Sequence, residues 1–274
     1  MTTTLRPTGP LERAADGALS RHYQVCVNSR PVGEADLSTD ERFGPTVARV
    51  GNLSIDEPDR GRGRGTVAAL AAEEIARGWG CTRIEASVPA GAETALGLAG
   101  ALGYVERNRG MSKHVGPTAP ALPDGVHARP MTDAEFEVWE ARAIKEYARS
   151  WIARGVPEAE ARAMSERAHA RLFPDGAGTP GMVVSVLEQD DEPVGTLWVA
   201  VRDDDAYVYD VEVAEQHRGK GHGRSLMLLA EREALTAGRT TLGLTVFADN
   251  IPARRLYDSL GYETRVIHLY KALL

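Results

Sequence analysis

The sequence predicts an α+β protein built from two tandem copies of one domain, each a central mixed, mostly antiparallel sheet flanked by helices. Three observations carry this. A glycine-rich turn occurs twice, as Arg60-Gly61-Arg62-Gly63-Arg64-Gly65 and Arg218-Gly219-Lys220-Gly221-His222-Gly223. The offset of 158 residues that relates them also carries Gly80 onto Gly238, Thr82 onto Thr240 and Val88 onto Val246. It goes on to carry Leu102-Gly103-Tyr104 onto Leu260-Gly261-Tyr262 and Lys113 onto Lys271, so the chain is an internal duplication. The second observation is pattern order: strands precede each turn, and a helix, a strand, a short helix and a strand follow it. The third is a stretch dense in proline and glycine, residues 116–125, which reads as a linker between halves 1–115 and 126–274.

The second half gives its elements in order. Val126 to Arg129 reads as a strand closed by Pro130. Thr132 with Glu135 forms a capping-box pattern, and Phe136, Trp139, Ala143 and Tyr147 continue it at helical spacing. Pro157 opens a second helix, Glu158 to Leu172. Three strands follow: Met182 to Glu188, Gly195 to Val201, and Ala206 to Val213, separated by acidic turns. After the glycine turn, Ser225 to Thr236 reads as a helix and Thr241 to Phe247 as an apolar strand. Pro252 to Leu260 reads as a short helix and Arg265 to Tyr270 as a last strand. The first half follows the same plan from about Val47, and no second helix is visible before Gln24.

Composition narrows the class. The 274 residues suit two domains, and 43% hydrophobic with 26% charged residues is ordinary for globular proteins. A net charge of −7 argues against a nucleic-acid partner. Two cysteines, Cys26 and Cys81, show no disulfide or metal-ligand spacing. No apolar leader or membrane-length run occurs, so the expectation is a cytoplasmic, metal-free protein, monomer or homodimer, without a membrane partner.

The second turn lies between a strand ending at Val213 and a helix. Unpaired amides and the positive dipole end gather at such a place, and glycines let a bulky anion approach. Arg218, Lys220 and Arg224 add positive charge, so Arg218-Gly219-Lys220-Gly221-His222-Gly223-Arg224-Ser225 suits a pyrophosphate. The spacing is neither the dinucleotide fingerprint nor a Walker loop. His217 and His222 flank the turn as loop residues near phosphate.

Taken with Tyr209-Asp210-Val211-Glu212-Val213 before it, and with Asn250, Tyr257 and Leu260-Gly261-Tyr262 after it, the turn resembles the GNAT superfamily of acetyl-CoA-dependent N-acetyltransferases. The resemblance covers 126–274 and, more weakly, the first half from about 47. The tandem layout is similar to that of mycothiol synthase and its relatives. It implies a strand that splays from its neighbour to admit acetyl-CoA as co-substrate. Backbone groups of Val211 and Val213 would hold the pantetheine arm and acetyl carbonyl. The amides around Gly221, Gly223 and Arg224 would hold the pyrophosphate, and Asn250 would bond the cofactor or cap its helix. Tyr257 is the expected acid toward the leaving thiolate, and Glu212 the expected base, with Asp210 as its alternate on the same strand face.

The offset places Ala99 where Tyr257 stands, Ala92 where Asn250 stands and Ser54 where Glu212 stands. The first copy therefore keeps the turn and loses the chemistry, which points to a structural role. The reading is an N-acetyltransferase with its active site in 126–274 and a small-molecule amine as acceptor. The alternative is a non-catalytic CoA-binding sensor or scaffold. A third reading, an RNA-binding Arg-Gly segment, fits poorly with one short turn in an acidic chain. The helices from Thr132 to Leu172 would cover the acceptor. A small amine, an amino-sugar or peptide antibiotic, a thiol-conjugate precursor and a protein amino terminus fit equally at this point.

Overall fold

The computed structural model describes residues 2–15, 17–40 and 44–273. The chain divides into two compact units, Met1–Arg109 with Arg265–Leu274, and Gly110–Thr264.

The first unit contains β1 (Thr3–Pro7), β2 (Glu12–Arg13), β3 (Leu19–Val27), β4 (Arg30–Asp40), β5 (Gly44–Ile55), α1 (Arg64–Gly78), β6 (Arg83–Pro89) and α2 (Glu93–Ala101). It also takes β13 (Glu263–Ala272) from the far end of the chain. The sheet runs β1-β3-β4-β5-β6-β13, with β2 on the flank of β3. All its pairings are antiparallel except β5 with β6. Ala72 and Ala76 of α1 pack with Ile84, Tyr104, Leu269 and Leu273. Small alanines on the helix let it lie close to the sheet. Among the described residues, no α-helix precedes α1 in this unit.

The second unit contains β8 (Val126–Pro130), α3 (Asp133–Ile152), α4 (Glu158–Leu172), β9 (Met182–Gln189), β10 (Glu192–Val201), β11 (Ala206–Val213), α5 (His222–Thr236), β12 (Thr241–Phe247) and α6 (Ile251–Ser259). The later residues of β7 (Val105–His114) also belong to it. Its sheet runs β8-β9-β10-β11-β12-β7. Leu226, Leu229, Ala230 and Ala234 of α5 bury one face against Leu197, Val199, Val208, Leu242, Leu244, Met111 and Val115. On the other face, Phe136 and Trp139 of α3, together with Phe173, pack on Val184 and Trp198. The predicted capping box is present: the Glu135 amide donates to Thr132 Oγ1 at 3.3 Å, and the Thr132 amide donates to a Glu135 oxygen at 2.9 Å. Arg129 completes it, and its guanidinium, with the Thr132 donors, holds the Glu135 carboxyl down at about 2.

The units thus exchange their final strands relative to the two sequence copies. Each exchange is sealed in the same way. Lys271 Nζ lies 2.7 Å from the Glu73 carboxylate in the first unit, and Lys113 Nζ lies 2.6 Å from Glu231 in the second. The Leu273 amide donates to Thr82 O at 2.8 Å, and the Val115 amide to Thr240 O at 2.8 Å. These paired contacts are related by the duplication offset, and both glutamates are buried. Alternation of side chains fixes which face of a strand is apolar, not which sheet the strand joins.

Candidate active site

The site of the second unit begins with a fault in β11. Trp198 pairs with Asp210 and Val199 with Val208, so Tyr209 is an extra residue, a β-bulge. Its ring stacks on Trp198 at 4.5 Å between centroids. Strict alternation back from Glu212 would put Val208 beside the acids. The bulge returns Val208 to the α5 core and leaves Tyr207, Asp210 and Glu212 on the opposite face. An apolar Val208 out of phase with two acids is the sequence signal for this bulge, which the pattern analysis missed.

The bulge also ends a pairing. β11 runs parallel to β12 only from Ala206–Val208 against Leu242–Leu244, and past that point the two strands part. A wedge opens between Tyr209–Val213 and Thr245–Phe247. Val211 and Val213 line its β11 side, half-buried against the α5 core. Gly195 lets β10 pass close to β11 here: a Cβ on it would collide with the Glu212 carbonyl oxygen and stand 3.1 Å from Leu226.

The glycine turn closes the wedge. Arg218 folds back and its Nε donates to Val213 O at 3.2 Å. Gly219 and Gly221 have φ of 77° and 91°, where a side chain is strained, and the space beside both is open. The helix begins at His222, three residues before the predicted Ser225, because the left-handed Gly221 turns the chain directly into helical geometry. The Arg224 and Ser225 amides already donate to Gly221 O at 2.9 and 3.2 Å, so the amides of His222 and Gly223 come before the first helical bonds. Ser225 is buried, while Lys220 is exposed and Arg224 reaches Ser259 Oγ at 2.6 Å. His222 is buried against His217, with ring centroids 6.1 Å apart. Burial, then His217 and Lys220, hold the His222 imidazole below its ordinary range. His217 lies 3.3 Å from the Glu192 carboxylate.

Tyr257 sits on α6, buried, with its ring 5.9 Å from that of Tyr262. Its phenol is pushed up to about 12 by burial and then by the charge of Asp210. Asp210 is half-buried as a residue, yet burial dominates at its carboxyl. Burial, Glu212 and Glu146 push it up to about 7 against Arg142 and the Val211 amide. Glu212 is bonded to Arg142 of α3, a partner 70 residues away that no local pattern announces. Asn250 caps α6, accepting from the Ala253 amide at 3.2 Å.

The α3 helix is fastened over this face. Arg154 clamps Asp249 at 2.6 and 2.8 Å and lies 3.6 Å over the Phe247 ring. Trp151 stands edge-on to the same ring at 5.5 Å. The Tyr207 hydroxyl donates to Thr245 Oγ1 at 2.7 Å across the mouth of the wedge. Among the described residues, no group of three His, Cys, Asp or Glu is placed to hold a metal ion, both cysteines are free and buried, and no helix is long and apolar enough to cross a membrane.

With this geometry in place, known proteins are informative. The model of the acetyltransferase (GNAT) family matches residues 4–104 and again residues 141–262. The chain belongs to this family. It is a tandem GNAT protein and an acyltransferase. YycN of Bacillus subtilis (strain 168), an uncharacterized N-acetyltransferase, is 30% identical over 151 residues, covering 53% of this chain and 96% of that protein. Mycothiol acetyltransferase of Streptomyces bingchenggensis is 28% identical over 246 residues, covering 85% of this chain and 74% of that one. A GCN5-related N-acetyltransferase from Sphaerobacter thermophilus shares the fold with a TM-score of 0.61 at 20% identity, covering 92% of this chain and 80% of that chain. A tandem GNAT protein from the clavulanic acid biosynthesis pathway does so with 0.50 at 20%, covering 96% and 85%.

The first GNAT unit repeats the scaffold. Its bulge falls at Gly51, and β5 leaves β6 after Val50 pairs with Ala86. Gly61 and Gly63 both have φ of 72°, and Arg60 Nε donates to Ile55 O at 2.7 Å. The side chains differ. Asn52 stands at the position of Asp210 and donates to Glu34 at 2.8 Å, while Ala92 at the N-cap of α2 and Ala99 on that helix carry no polar side-chain group. Where the second unit has His217 and His222, the first has a buried Asp59–Arg64 ion pair, with Arg30 also on Asp59.

Proposed function

We propose that the protein is an N-acetyltransferase that moves an acetyl group from acetyl-CoA to the amine of a small molecule, with the active site in the second unit. The observation that carries this is the coincidence, in that unit alone, of the β11–β12 wedge and glycine turn with Tyr257 and the two β11 carboxylates. The donor fits the residues present. The open left-handed glycines and the amides of His222 and Gly223 offer an anion cradle at the end of a 15-residue helix. Arg218, Lys220 and Arg224 supply positive charge, and Ser225 packs beneath them. The β11 edge at Val211 and Val213, freed from β12, offers backbone groups to the pantetheine arm. Asn250 already serves as a cap, and it stands at the wedge mouth beside the clamped Asp249.

When bound, the thioester supplies the activated acyl group. The protein supplies placement and protons. Tyr257, fully protonated at neutral pH, is suited to give a proton to the departing sulfur. A β11 carboxylate takes one from the amine, with Glu212 and Asp210 as the candidates. The α3–α4 pair covers the acceptor side and excludes water. The family relationship and the absence, among the described residues, of such helices ahead of α1 favour the second unit as the catalytic one. A cytoplasmic location and a division of labour at the 116–125 linker accord with this reading.

The test is a screen of primary amines with acetyl-CoA and the full chain, read as free thiol and as acetylated amine. Turnover lost in Tyr257→Phe and kept in wild type supports the proposal. Failure of every amine, together with no calorimetric binding of CoA, would overturn it.

A further inference from the structure

We infer that Asp210 is the general base, and that Glu212 is a positioning residue whose bond to Arg142 fastens α3 over the acceptor. This deepens the transferase reading and rests on it.

The two acids share a strand face but not an environment. Glu212 is held by the Arg142 guanidinium in a charge-assisted bond that ties it to α3. Asp210 lies two residues earlier on β11, opposite Trp198 and next to the bulge, where Tyr209 stacks on Trp198 and Trp198 in turn joins the aromatic cluster under α3 and α4. Charged and titratable groups face it from three elements: Glu212 on its own strand, Glu146 and Arg142 on α3, and Tyr257 on α6. The one cation in that set is committed to Glu212. An incoming ammonium would therefore meet net negative charge, and Asp210 is the member whose proton affinity lies near neutrality, as a base for this step requires. Its field also reaches the Tyr257 phenol, so base and acid belong to one site. In the first unit the equivalent residue is Asn52, which cannot accept a proton.

The proton count closes. Asp210 takes one proton from the ammonium, and the freed nitrogen lone pair forms the bond to the acyl carbon. As the carbon–sulfur bond breaks, the Tyr257 phenol protonates the sulfur. The second nitrogen proton restores the phenol, and Asp210 releases its proton to solvent. Amide, thiol and one solvent proton are the products.

Asp210→Asn is a near-isosteric test, and asparagine already occupies the equivalent place in the first unit. The first readout needs no substrate: carboxyl titration of the full chain, followed by carbon NMR with labelled aspartate. A resonance with a midpoint near 7 should be present in wild type, moved to lower pH in Glu212→Gln because the Glu212 charge that raises it is gone, and absent in Asp210→Asn. The second is the pH profile of kcat/KM for an amine that gives thiol release in the screen. Wild type should gain activity as pH rises through about 7, because the base works deprotonated. Asp210→Asn should lose that limb and about 100-fold in kcat, with CoA affinity within about twofold. Glu212→Gln should keep the limb, moved to lower pH, and kcat above it within about threefold, with KM for the amine raised several-fold. A limb that survives in Asp210→Asn, or vanishes only in Glu212→Gln, would overturn the assignment while leaving acetyl transfer intact. Absence of thiol release with every amine would instead remove the transferase reading, and this one with it.

Discussion

The two units share a bulge, a splayed strand pair, two left-handed glycines and an arginine folded back on the strand end. They differ at almost every side chain able to move a proton. Where the second unit has Asp210, Glu212, Asn250 and Tyr257, the first has Asn52, Ser54, Ala92 and Ala99. The scaffold is thus separable from the chemistry. Backbone geometry is held by glycine conformation and sheet register, which duplication preserves as long as the fold must form. The acids and the phenol contribute little to that geometry. In the second unit Asp210 carries a desolvation cost.

The comparison can be broken most severely at the exchanged strands. Residues 126–274 expressed alone lack Met111 and Val115 of the second core and the Lys113 partner of Glu231. That fragment should show no cooperative unfolding transition, whereas co-expression of 1–120 with 121–274 should restore one. A cooperatively folded 126–274 would show that the exchange is dispensable.

Next in size is the ion pair that seals the first unit. Lys271→Met leaves the buried Glu73 without its cation and should cost roughly 3 kcal/mol in urea unfolding. The double variant with Glu73→Leu should recover most of that loss, which a purely local defect at residue 271 would not allow.

Tyr257→Phe should lower kcat about 100-fold, or ~2.7 kcal/mol, with CoA affinity unchanged by calorimetry. Ala99→Tyr in the first unit should leave turnover as it is. Equal effects of the two substitutions would erase the distinction between the units.

Asp210 gives a smaller, pH-dependent effect. Its folded value of about 7 lies above its ordinary 3.8, so its contribution to stability is full below about 4 and lost as pH rises through 7. Asp210→Asn should therefore stabilise the protein at pH 8, by roughly 2 kcal/mol after allowance for partial exposure, and not at pH 4. Thermal unfolding at the two pH values measures the difference. The smallest effect is at the α6 cap, where Asn250→Ala should cost about 1 kcal/mol of stability. A much larger loss in CoA affinity than in stability would show that Asn250 also bonds the donor.

Much of this could be read from the chain itself. Ala206–Val213 and Thr241–Phe247 fall where their apolar patterns place them, and the Thr132–Glu135 box caps α3. The glycine turn lies between strand and helix as its composition implies. Three features were less accessible for physical reasons. The helix start at His222 depends on the φ of Gly221, which residue type permits but does not dictate. The strand exchange depends on which of two equivalent sheets β7 and β13 join, and duplicated sequences carry nearly the same pattern for either choice. The Arg142–Glu212 pair joins residues distant in sequence, so the partner of Glu212 comes from a helix that no local pattern docks.

The central claim is that one of two like turns serves the reaction, and thiol release from acetyl-CoA by the full chain tests it most directly. Gly221→Val, forcing a β-branched residue into φ of 91°, should abolish turnover, and Gly63→Val, at φ of 72°, should leave it within about twofold provided both variants remain folded. Turnover that survives Gly221→Val and is lost in Gly63→Val would place the chemistry in the wrong unit and contradict the account.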